Sequence, residues 1–563
     1  MMCKKRLVMF LLVCSILVLS LGTGFAAAEE ASKTLTFVLR KTSFAFEERT
    51  DALIIDAGKE VDGSSLSISD FETHVRSTRI VNPDYVTYDG PREIIDVYTS
   101  DVNDVGYPSD TGRYIVIDFN DVGWEDGGTT NEGGYTFDSR YTITFKGTQI
   151  DYVDGSSLVP EAFEQIGEFN PVLDKFKYDN YNGMDYSYFL NEDADEPLPL
   201  VVFFHGGGQG NDIYTPIRFS NGGPIWAYPE NQAKYPCHVL APRSAGYSMS
   251  MENVKAVIDQ MIDDGKVDPN RVYITGFSMG GGNTWNFLRT YPDFPAAAIP
   301  LCPAGGPQNV DQAKAVAYLP LWTLVDGEDF LLGMVQNIED TYGQYWYDSM
   351  LTIIPQSWLY EPPYNGWKFD GHSVWLPAYN EYVDPVRGTL IDWLFSKSKI
   401  RGVADIEVAT ISGVAPVLPE TVTVDVNYNA TGIQSEERPV VWDAIDPYYY
   451  GNDGPGTFTV EGKIEGCVEK AVAIVTVEYR NRIDDLKEAV EGLDLNKGNT
   501  NALTVKLNNA EKFVSQAKAK QAGNMLNAFI NQVNAFRKAG KVSETQAIDM
   551  IEAARETIRN ISN

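Results

Sequence analysis

The stretch of sequence that decides the fold is Val272-Tyr273-Ile274-Thr275-Gly276-Phe277-Ser278-Met279-Gly280. Residues of high strand propensity lead into a Gly-x-Ser-x-Gly turn, and a helical pattern begins after Gly280. A serine at such a sharp turn adopts strained backbone angles, and the flanking glycines keep side chains clear of the neighbouring strand and helix. The pattern predicts a nucleophile elbow with Ser278 as the nucleophile. The alternative is a serine that only caps the helix.

A glycine-rich loop, His205-Gly206-Gly207-Gly208-Gln209, follows an apolar strand predicted at Leu198–Phe204. Backbone N–H groups in such a loop can approach the oxyanion that develops during acyl transfer. We expect Gly207 and Gly208 to donate to it, together with the N–H of Met279 directly after the nucleophile. A phosphate-binding loop is the alternative, but the Gly-Lys-Ser/Thr ending that it requires does not follow.

Nucleophilic catalysis by a serine also needs a base, and the chain has four histidines, His74, His205, His238 and His372. The first lies in a predicted β-sandwich, the second heads the glycine-rich loop, and the third enters a buried strand. His372 comes after the serine, as the chain order Ser, acid, His requires. The sequence predicts His372 as the base; the alternative is a histidine that is simply exposed in a loop.

The acid that orients this base is expected after the strand predicted at 321–325, where the chain reads Asp326-Gly327-Glu328-Asp329. A carboxylate there would hold the imidazole in the correct tautomer and stabilise the imidazolium. All three carboxylates fit this role chemically.

The region from about 170 to 400 alternates apolar strands with helical segments, which predicts a doubly wound, mostly parallel α/β sheet. The buried strands are predicted at 198–204, 237–241, 272–275, 296–301 and 321–325.

Two β-rich regions flank this one. Short strands separated by Gly, Asp and Asn turns, for example 114–119 and 141–145, predict an immunoglobulin-like β-sandwich near the N-terminus. Strands return from about 402 to 479, which predicts a second sandwich. The last part has helical periodicity and a capping box from Ser543 to Gln546, which predicts a four-helix bundle. The expected domains are 29–168, 169–400, 401–479 and 480–563.

The length of the chain indicates several domains, and its charge limits the partners that it can bind. The chain has 563 residues, whereas a single domain usually has ~100–200 residues. The 78 acidic against 45 basic residues give a net charge of -33. This charge disfavours nucleic acid as a partner.

The first 28 residues predict a signal peptide: a basic start, an apolar run, and Ala26-Ala27-Ala28 at the cleavage site. The mature protein is therefore expected to be secreted, extracellular and without a membrane span. It would keep three cysteines, Cys237, Cys302 and Cys467, which we expect to be unbridged. With neither a CxxC nor an HExxH motif, we expect no metal and no cofactor.

The residues around the elbow resemble a known family. The stretch 269–281, with Thr284-Trp285 and Tyr291-Pro292-Asp293, resembles secreted esterases related to polyhydroxybutyrate depolymerases, some of them described as predicted peptidases. With the N-terminal sandwich, residues 33 to 400 are similar to esterases that carry an N-terminal immunoglobulin-like domain. The stretch 402–479 resembles bacterial immunoglobulin-like modules, and 526–536 resembles the FIMAH domain.

The resemblance implies an α/β-hydrolase fold with Ser278 as nucleophile, Asp329 as acid, His372 as base and 205–209 as oxyanion loop. The family commonly has histidine or asparagine where this chain has Asp326, so Asp326 stays open as an alternative acid. The aromatic-rich stretch 356–370 is expected to wall the substrate site.

Together these features predict a secreted serine carboxylic-ester hydrolase that works through an acyl-enzyme. Two alternatives stay open: a serine peptidase of the same fold, and a non-catalytic surface or polysaccharide-binding protein with a degenerate hydrolase domain. The substrate would be an ester, and cell-wall polysaccharide esters, a polyester and small esters all fit. The sequence does not indicate the oligomeric state.

Overall fold

The computed structural model describes residues 33–119, 126–244, 249–355, 371–380, 382–451, 456–478 and 482–562. The predicted signal peptide and the stretch 356–370 lie outside these ranges. Within them, no helix combines the length and the apolar character that crossing a bilayer requires.

The N-terminal unit consists of two stacked β-sheets. One has the strand order β11-β1-β2-β6-β5 and the other β4-β3-β8-β7. Side chains of both sheets, among them Phe37, Ile117, Val75 and Tyr141, form one buried core, as in a β-sandwich. The strands are β1 Thr34–Ser43, β2 Glu48–Asp62, β3 Phe71–Arg79, β4 Asn82–Arg92, β5 Ile94–Ser100, β6 Thr111–Phe119, β7 Asn131–Glu132, β8 Tyr135–Phe145, β9 Ile150–Asp151, β10 Ser157–Leu158 and β11 Ala162–Phe169.

The central unit is built on an eight-stranded sheet of order β12-β13-β15-β14-β16-β17-β18-β19. Neighbours from β15 to β19 pair in parallel, and β12 and β13 form an antiparallel edge. The strands are β12 Lys177–Tyr181, β13 Met184–Phe189, β14 Leu198–Phe204, β15 His238–Pro242, β16 Val267–Phe277, β17 Ala297–Leu301, β18 Leu321–Asp326 and β19 Ser349–Ile354, with a small hairpin of β20 Val383–Asp384 and β21 Gly388–Thr389. The helices are α1 Thr215–Arg218, α2 Pro229–Lys234, α3 Met251–Asp263, α4 Met279–Thr290, α5 Val310–Lys314, α6 Leu332–Tyr342, α7 Trp375–Asn380 and α8 Leu390–Phe395.

Both faces of this sheet are buried. Along β14, Val201 and Phe203 pack into one hydrophobic cluster, and Leu200, Val202 and Phe204 pack into the cluster on the opposite face. Because successive side chains of a strand point to opposite faces, a strand covered on both sides is apolar throughout. Each of the five predicted strands overlaps an observed one, from β14 to β18.

The N-terminal sandwich and the central unit share a buried ion pair. Glu48 of β2 is fully buried, and its carboxylate lies 2.5 Å from a guanidinium nitrogen of Arg218 in α1. Arg218 holds the pKa of the Glu48 carboxyl below its usual value, against the effect of burial. The first helix of the central unit is thereby anchored to the sandwich.

The C-terminal part begins with a sheet of order β22-β24-β25-β26-β27-β23. Four helices follow, and their buried side chains, such as Leu486, Leu507, Phe529 and Ala554, form a common core. Ser543 and Gln546 make the reciprocal hydrogen bonds of the predicted capping box. The elements are β22 Ile400–Val403, β23 Ile406–Ile411, β24 Thr421–Tyr428, β25 Gly432–Trp442, α9 Pro447–Tyr450, β26 Thr457–Ile464, β27 Lys470–Glu478, α10 Ile483–Glu491, α11 Lys497–Ser515, α12 Ala519–Lys538 and α13 Glu544–Ser562.

Candidate active site

Ser278 lies between β16 and α4 in a strained conformation, with φ 57° and ψ -118°. Residues other than glycine rarely adopt a positive φ, so the surrounding structure must hold the Ser278 backbone in this conformation. The glycines on either side permit close packing: a Cβ on Gly276 or Gly280 would lie 2.5 Å or 1.9 Å from the carbonyl oxygen of Phe204. The sharp turn therefore requires glycine at both positions and presents the serine at the carboxyl edge of the sheet.

A chain of hydrogen bonds links Ser278 to His372 and Asp329. Nε2 of His372 lies 2.7 Å from Oγ of Ser278, and Nδ1 lies 2.9 Å and 3.0 Å from the carboxylate oxygens of Asp329. The Asp329 side chain is fully buried, and 17% of the His372 side chain is exposed. The N–H of Leu331 donates to Oδ1 of Asp329 at 2.7 Å, which fixes the carboxylate. The three predicted site residues thus lie together although they follow different strands.

The other two carboxylates of the 326–329 turn lie elsewhere. Asp326 is fully buried at the end of β18, where its Oδ1 accepts the N–H of Glu328 at 2.7 Å. Glu328 is exposed. Asp329 is therefore the carboxylate of this turn that contacts His372.

The glycine-rich loop lies beside the elbow. A Cβ built on Gly207 would come 3.9 Å from Cβ of Met279. Gly207 and Gly208 are exposed, and their backbone N–H groups form no hydrogen bond with any residue in the described ranges. Two of the N–H donors predicted for an oxyanion site are thus without a partner among the described residues, and their loop lies beside Met279, the third predicted donor.

His205 holds this loop. Its Nε2 accepts the N–H of Ser244 at 2.9 Å, so Nδ1 carries the proton and donates to the carbonyl of Gly206 at 2.8 Å. Burial lowers the pKa of this imidazole to about 4. Both ring nitrogens of His205 are therefore engaged, Nδ1 within the loop and Nε2 by Ser244 after β15.

The other two histidines are also engaged. His238 is buried in β15, where Nδ1 accepts the N–H of Asn191 at 3.1 Å and burial lowers its pKa. His74 pairs with Asp89 on the surface of the sandwich. Neither is placed near Ser278 by these contacts.

The β7–β8 turn of the sandwich packs on the glycine-rich loop, a contact that sequence reasoning missed. Gly134 has φ +79°, and a Cβ there would lie 2.0 Å from the carbonyl oxygen of Gly208. Nδ2 of Asn211 donates to the carbonyl of Gly133 at 2.9 Å, and Oγ1 of Thr215 donates to that of Gly134 at 3.0 Å. The N-terminal sandwich therefore supports the loop directly.

Two aromatic side chains adjoin His372. The ring centroid of Phe330, which is 76% exposed, lies 4.3 Å from that of the imidazole. Trp375 meets the imidazole edge-on at 5.9 Å and stacks on Phe277 at 4.1 Å. Both aromatic residues lie close to a predicted site residue in the sequence: Phe330 directly follows Asp329, and Trp375 lies three positions after His372.

Among the described residues, one group has the spacing of metal ligands: Cys302, Asp329 and His372, with ligand atoms within 4.8 Å of one another. Burial raises the pKa of the Cys302 thiol well above its usual range, so the sulfur is protonated. Asp329 and His372 already pair with each other. The group therefore suits an acid–base pair in a buried setting better than a metal site. Cys237, Cys302 and Cys467 are all free thiols.

Three stretches match known families. Residues 41–158 match the Esterase Ig-like N-terminal domain, 403–467 the Bacterial Ig-like domain (group 4), and 481–559 the FIMAH domain. These matches agree with the resemblances drawn from the sequence.

Two of the similar proteins are named as enzymes. A crystal structure of a thermostable esterase superposes with TM-score 0.56 at 25% identity, covering 65% of this chain and 99% of that one. Poly(3-hydroxyalkanoate) depolymerase C from Paucimonas lemoignei is 33% identical over 132 residues, which are 21% of this chain and 31% of the depolymerase. The chain thus spans about a third of that relative's length. It combines immunoglobulin-like domains with a hydrolase fold similar to that of esterases.

Proposed function

We propose that this chain hydrolyses carboxylic esters through an acyl-enzyme formed on Ser278. The observation that carries the proposal is the hydrogen-bond chain from Ser278 through His372 to the buried carboxylate of Asp329. The similarity to a thermostable esterase over 65% of the chain and to a poly(3-hydroxyalkanoate) depolymerase over 132 residues supports ester hydrolysis as the reaction.

In the proposed mechanism, Oγ of Ser278 attacks the ester carbonyl while Nε2 of His372 accepts the hydroxyl proton. The N–H groups of Gly207, Gly208 and Met279 stabilise the oxyanion of the tetrahedral intermediate. His372 returns the proton to the leaving alcohol, which leaves an acyl-serine. Water then attacks the acyl-serine with His372 again as base, and the acid product leaves.

Asp329 is the proposed acid, in preference to Asp326. Both oxygens of Asp329 lie within hydrogen-bond distance of Nδ1 of His372, whereas Asp326 accepts a backbone N–H within its own turn. A carboxylate on Nδ1 keeps the proton on that nitrogen, so that Nε2 is free to accept from the serine.

The other parts of the chain are assigned by residue range. We propose that residues 1–28 direct export, that 29–168 form the sandwich supporting the oxyanion loop, and that 169–400 form the catalytic unit. We further propose domains at 401–479 and 480–563, which enclose the stretches that match the Bacterial Ig-like domain (group 4) and the FIMAH domain.

A matched pair of substrates tests the reaction class. We expect p-nitrophenyl acetate to be hydrolysed at least about a thousandfold faster than p-nitroacetanilide. The amine of the anilide is a poorer leaving group than p-nitrophenolate and needs protonation by His372 in the transition state. The two substrates share the acetyl group and differ in the leaving atom. Comparable rates, or faster hydrolysis of peptides than of esters, would instead indicate a peptidase.

The support of the oxyanion loop by the sandwich is tested with two glycine variants. Gly134→Ala places a methyl group against the Gly208 carbonyl and is expected to lower kcat by about 10–100-fold, since small displacements of catalytic groups are costly. Gly155→Ala is the control: its φ of +82° imposes the same backbone strain, but nothing lies within 4 Å of the added carbon. Both are assayed with p-nitrophenyl acetate well below their melting temperatures. Equal losses in the two variants would show that Gly134 acts only through stability.

A further inference from the structure

A cleft of about 620 Å³ opens on the N-terminal sandwich where the sandwich meets the central unit. The aromatic rings of Phe46, Tyr88 and Phe219 line it and are each partly exposed, and Phe137 is buried at its wall. Phe219 comes from the central unit, directly after α1, and the other three come from the sandwich. Both units therefore contribute to the cleft.

The cleft borders the oxyanion loop. Gly133 belongs to its lining, and the next residue, Gly134, packs against the carbonyl of Gly208. Gly207 and Gly208 are exposed. A ligand in the cleft would thus contact the turn that packs on the loop proposed to bind the oxyanion.

The polar lining favours a neutral ligand rich in hydroxyl groups. Asn131 is 2% exposed; its Nδ2 donates to the carbonyl of Arg218 at 3.1 Å, whereas its Oδ1 has no hydrogen-bond partner among the described residues. A buried acceptor without a partner is costly, and a ligand hydroxyl would satisfy it. Among the described lining residues no side chain is cationic: the acids are Glu132 and Glu47, which pairs with Arg49 at 2.5 Å, so the lining offers a phosphate or a uronate no positive charge.

We propose that this cleft is a subsite for a neutral sugar of an ester-linked saccharide, so that the sandwich holds the carbohydrate while Ser278 acts on the ester. The aromatic rings would pack on the C–H faces of the sugar, and Asn131 would accept one of its hydroxyls. The proposal rests on the proposed ester hydrolysis and names the substrate class of that site.

Binding is measured apart from catalysis with the full-length Ser278→Ala chain. Isothermal titration calorimetry with xylotetraose is expected to detect binding that Tyr88→Ala, added to this chain, weakens about tenfold through the lost ring. Tyr107→Ala is the matched control, because Tyr107 is a 56% exposed tyrosine of the same sandwich and does not line the cleft. Asn131→Ala provides a second variant should Tyr88→Ala fold poorly.

Catalysis gives the second arm. In the parent chain, which keeps Ser278, we compare kcat/KM for acetylated xylotetraose with kcat/KM for p-nitrophenyl acetate. Tyr88→Ala is expected to lower this ratio about tenfold, mainly by raising KM for the saccharide ester. Tyr107→Ala should leave this ratio unchanged. If Ser278 is not the nucleophile, the Ser278→Ala chain will still hydrolyse both esters. The calorimetric measurement will nevertheless report saccharide binding, so the two failures can be told apart.

Two results would overturn the subsite: no heat of binding with xylotetraose at millimolar concentration, or equal effects of Tyr88→Ala and Tyr107→Ala. Binding of a 3-hydroxybutyrate oligomer to the same chain without any binding of xylotetraose would assign the cleft to a polyester and contradict the sugar proposal.

Discussion

Ser278→Ala is expected to lower kcat for p-nitrophenyl acetate by about 10⁶-fold, because the hydroxyl is the group that forms the acyl-enzyme. The substitution keeps the Cβ, so the backbone at φ 57° bears no added strain. Thermal unfolding of the variant should therefore match that of the parent chain. Initial rates measured at high enzyme concentration give the residual activity.

Ser187→Ala is the control for this variant. Ser187 is a buried serine of the central unit, in β13, whose hydroxyl donates to the carbonyl of Ala241 at 3.4 Å. It should keep the activity of the parent chain. A Ser278→Ala chain that retained a tenth of the parent activity would exclude Ser278 as the nucleophile.

Asp329→Asn is expected to lower kcat by about 10⁴-fold, because an amide opposite Nδ1 favours the wrong tautomer of His372. The carboxylate oxygens lie 2.9 Å and 3.0 Å from Nδ1, so the amide NH2 group can take that place without other rearrangement. The rate is again measured with p-nitrophenyl acetate.

The matched variant Asp326→Asn should cost less than about tenfold, since Asp326 orients the turn through the N–H of Glu328 and an amide oxygen can accept the same hydrogen bond. Equal and large losses in both variants would mean that the two carboxylates share the role.

The sheet was predictable where its strands are buried on both faces. Leu198–Phe204 is apolar throughout and coincides with β14. By contrast, β16 begins at Val267, although the sequence predicted only 272–275. The preceding Asp268-Pro269-Asn270 has the composition of a turn, yet Asp268 is fully buried and its carboxylate accepts the N–H of Asn270 at 2.9 Å. Burial of these residues in the folded chain here overrides their local preference for a turn.

The edges of the sheet carried a weaker signal. Strand β12 places polar and aromatic residues on exposed or partly exposed positions, and β19 is mostly half-buried. An edge strand pairs on one side only and needs no continuous apolar run, so its composition resembles that of a loop. The sequence therefore predicted the centre of the sheet and missed its borders.

The candidate site divides in the same way. Ser278 and the Gly206–Gly208 loop are recognisable in the sequence because the residues that each motif needs are adjacent in the chain. The choice between Asp326 and Asp329 depends on the path of a four-residue turn, in which the N–H of Asp329 donates to the carbonyl of Asp326 at 3.2 Å. The support of the loop by Gly134 comes from a distant part of the chain and has no local pattern.

The central claim is a single activated serine at position 278, and covalent labelling tests it most directly. The parent chain is incubated with a fluorophosphonate, and the adduct is counted by intact mass spectrometry and located by peptide mapping. The account predicts one adduct per chain, on Ser278, with labelling that becomes at least about a thousandfold slower in His372→Ala, because the histidine activates the serine. An adduct on another residue, or a folded chain that hydrolyses esters without being labelled, would contradict it.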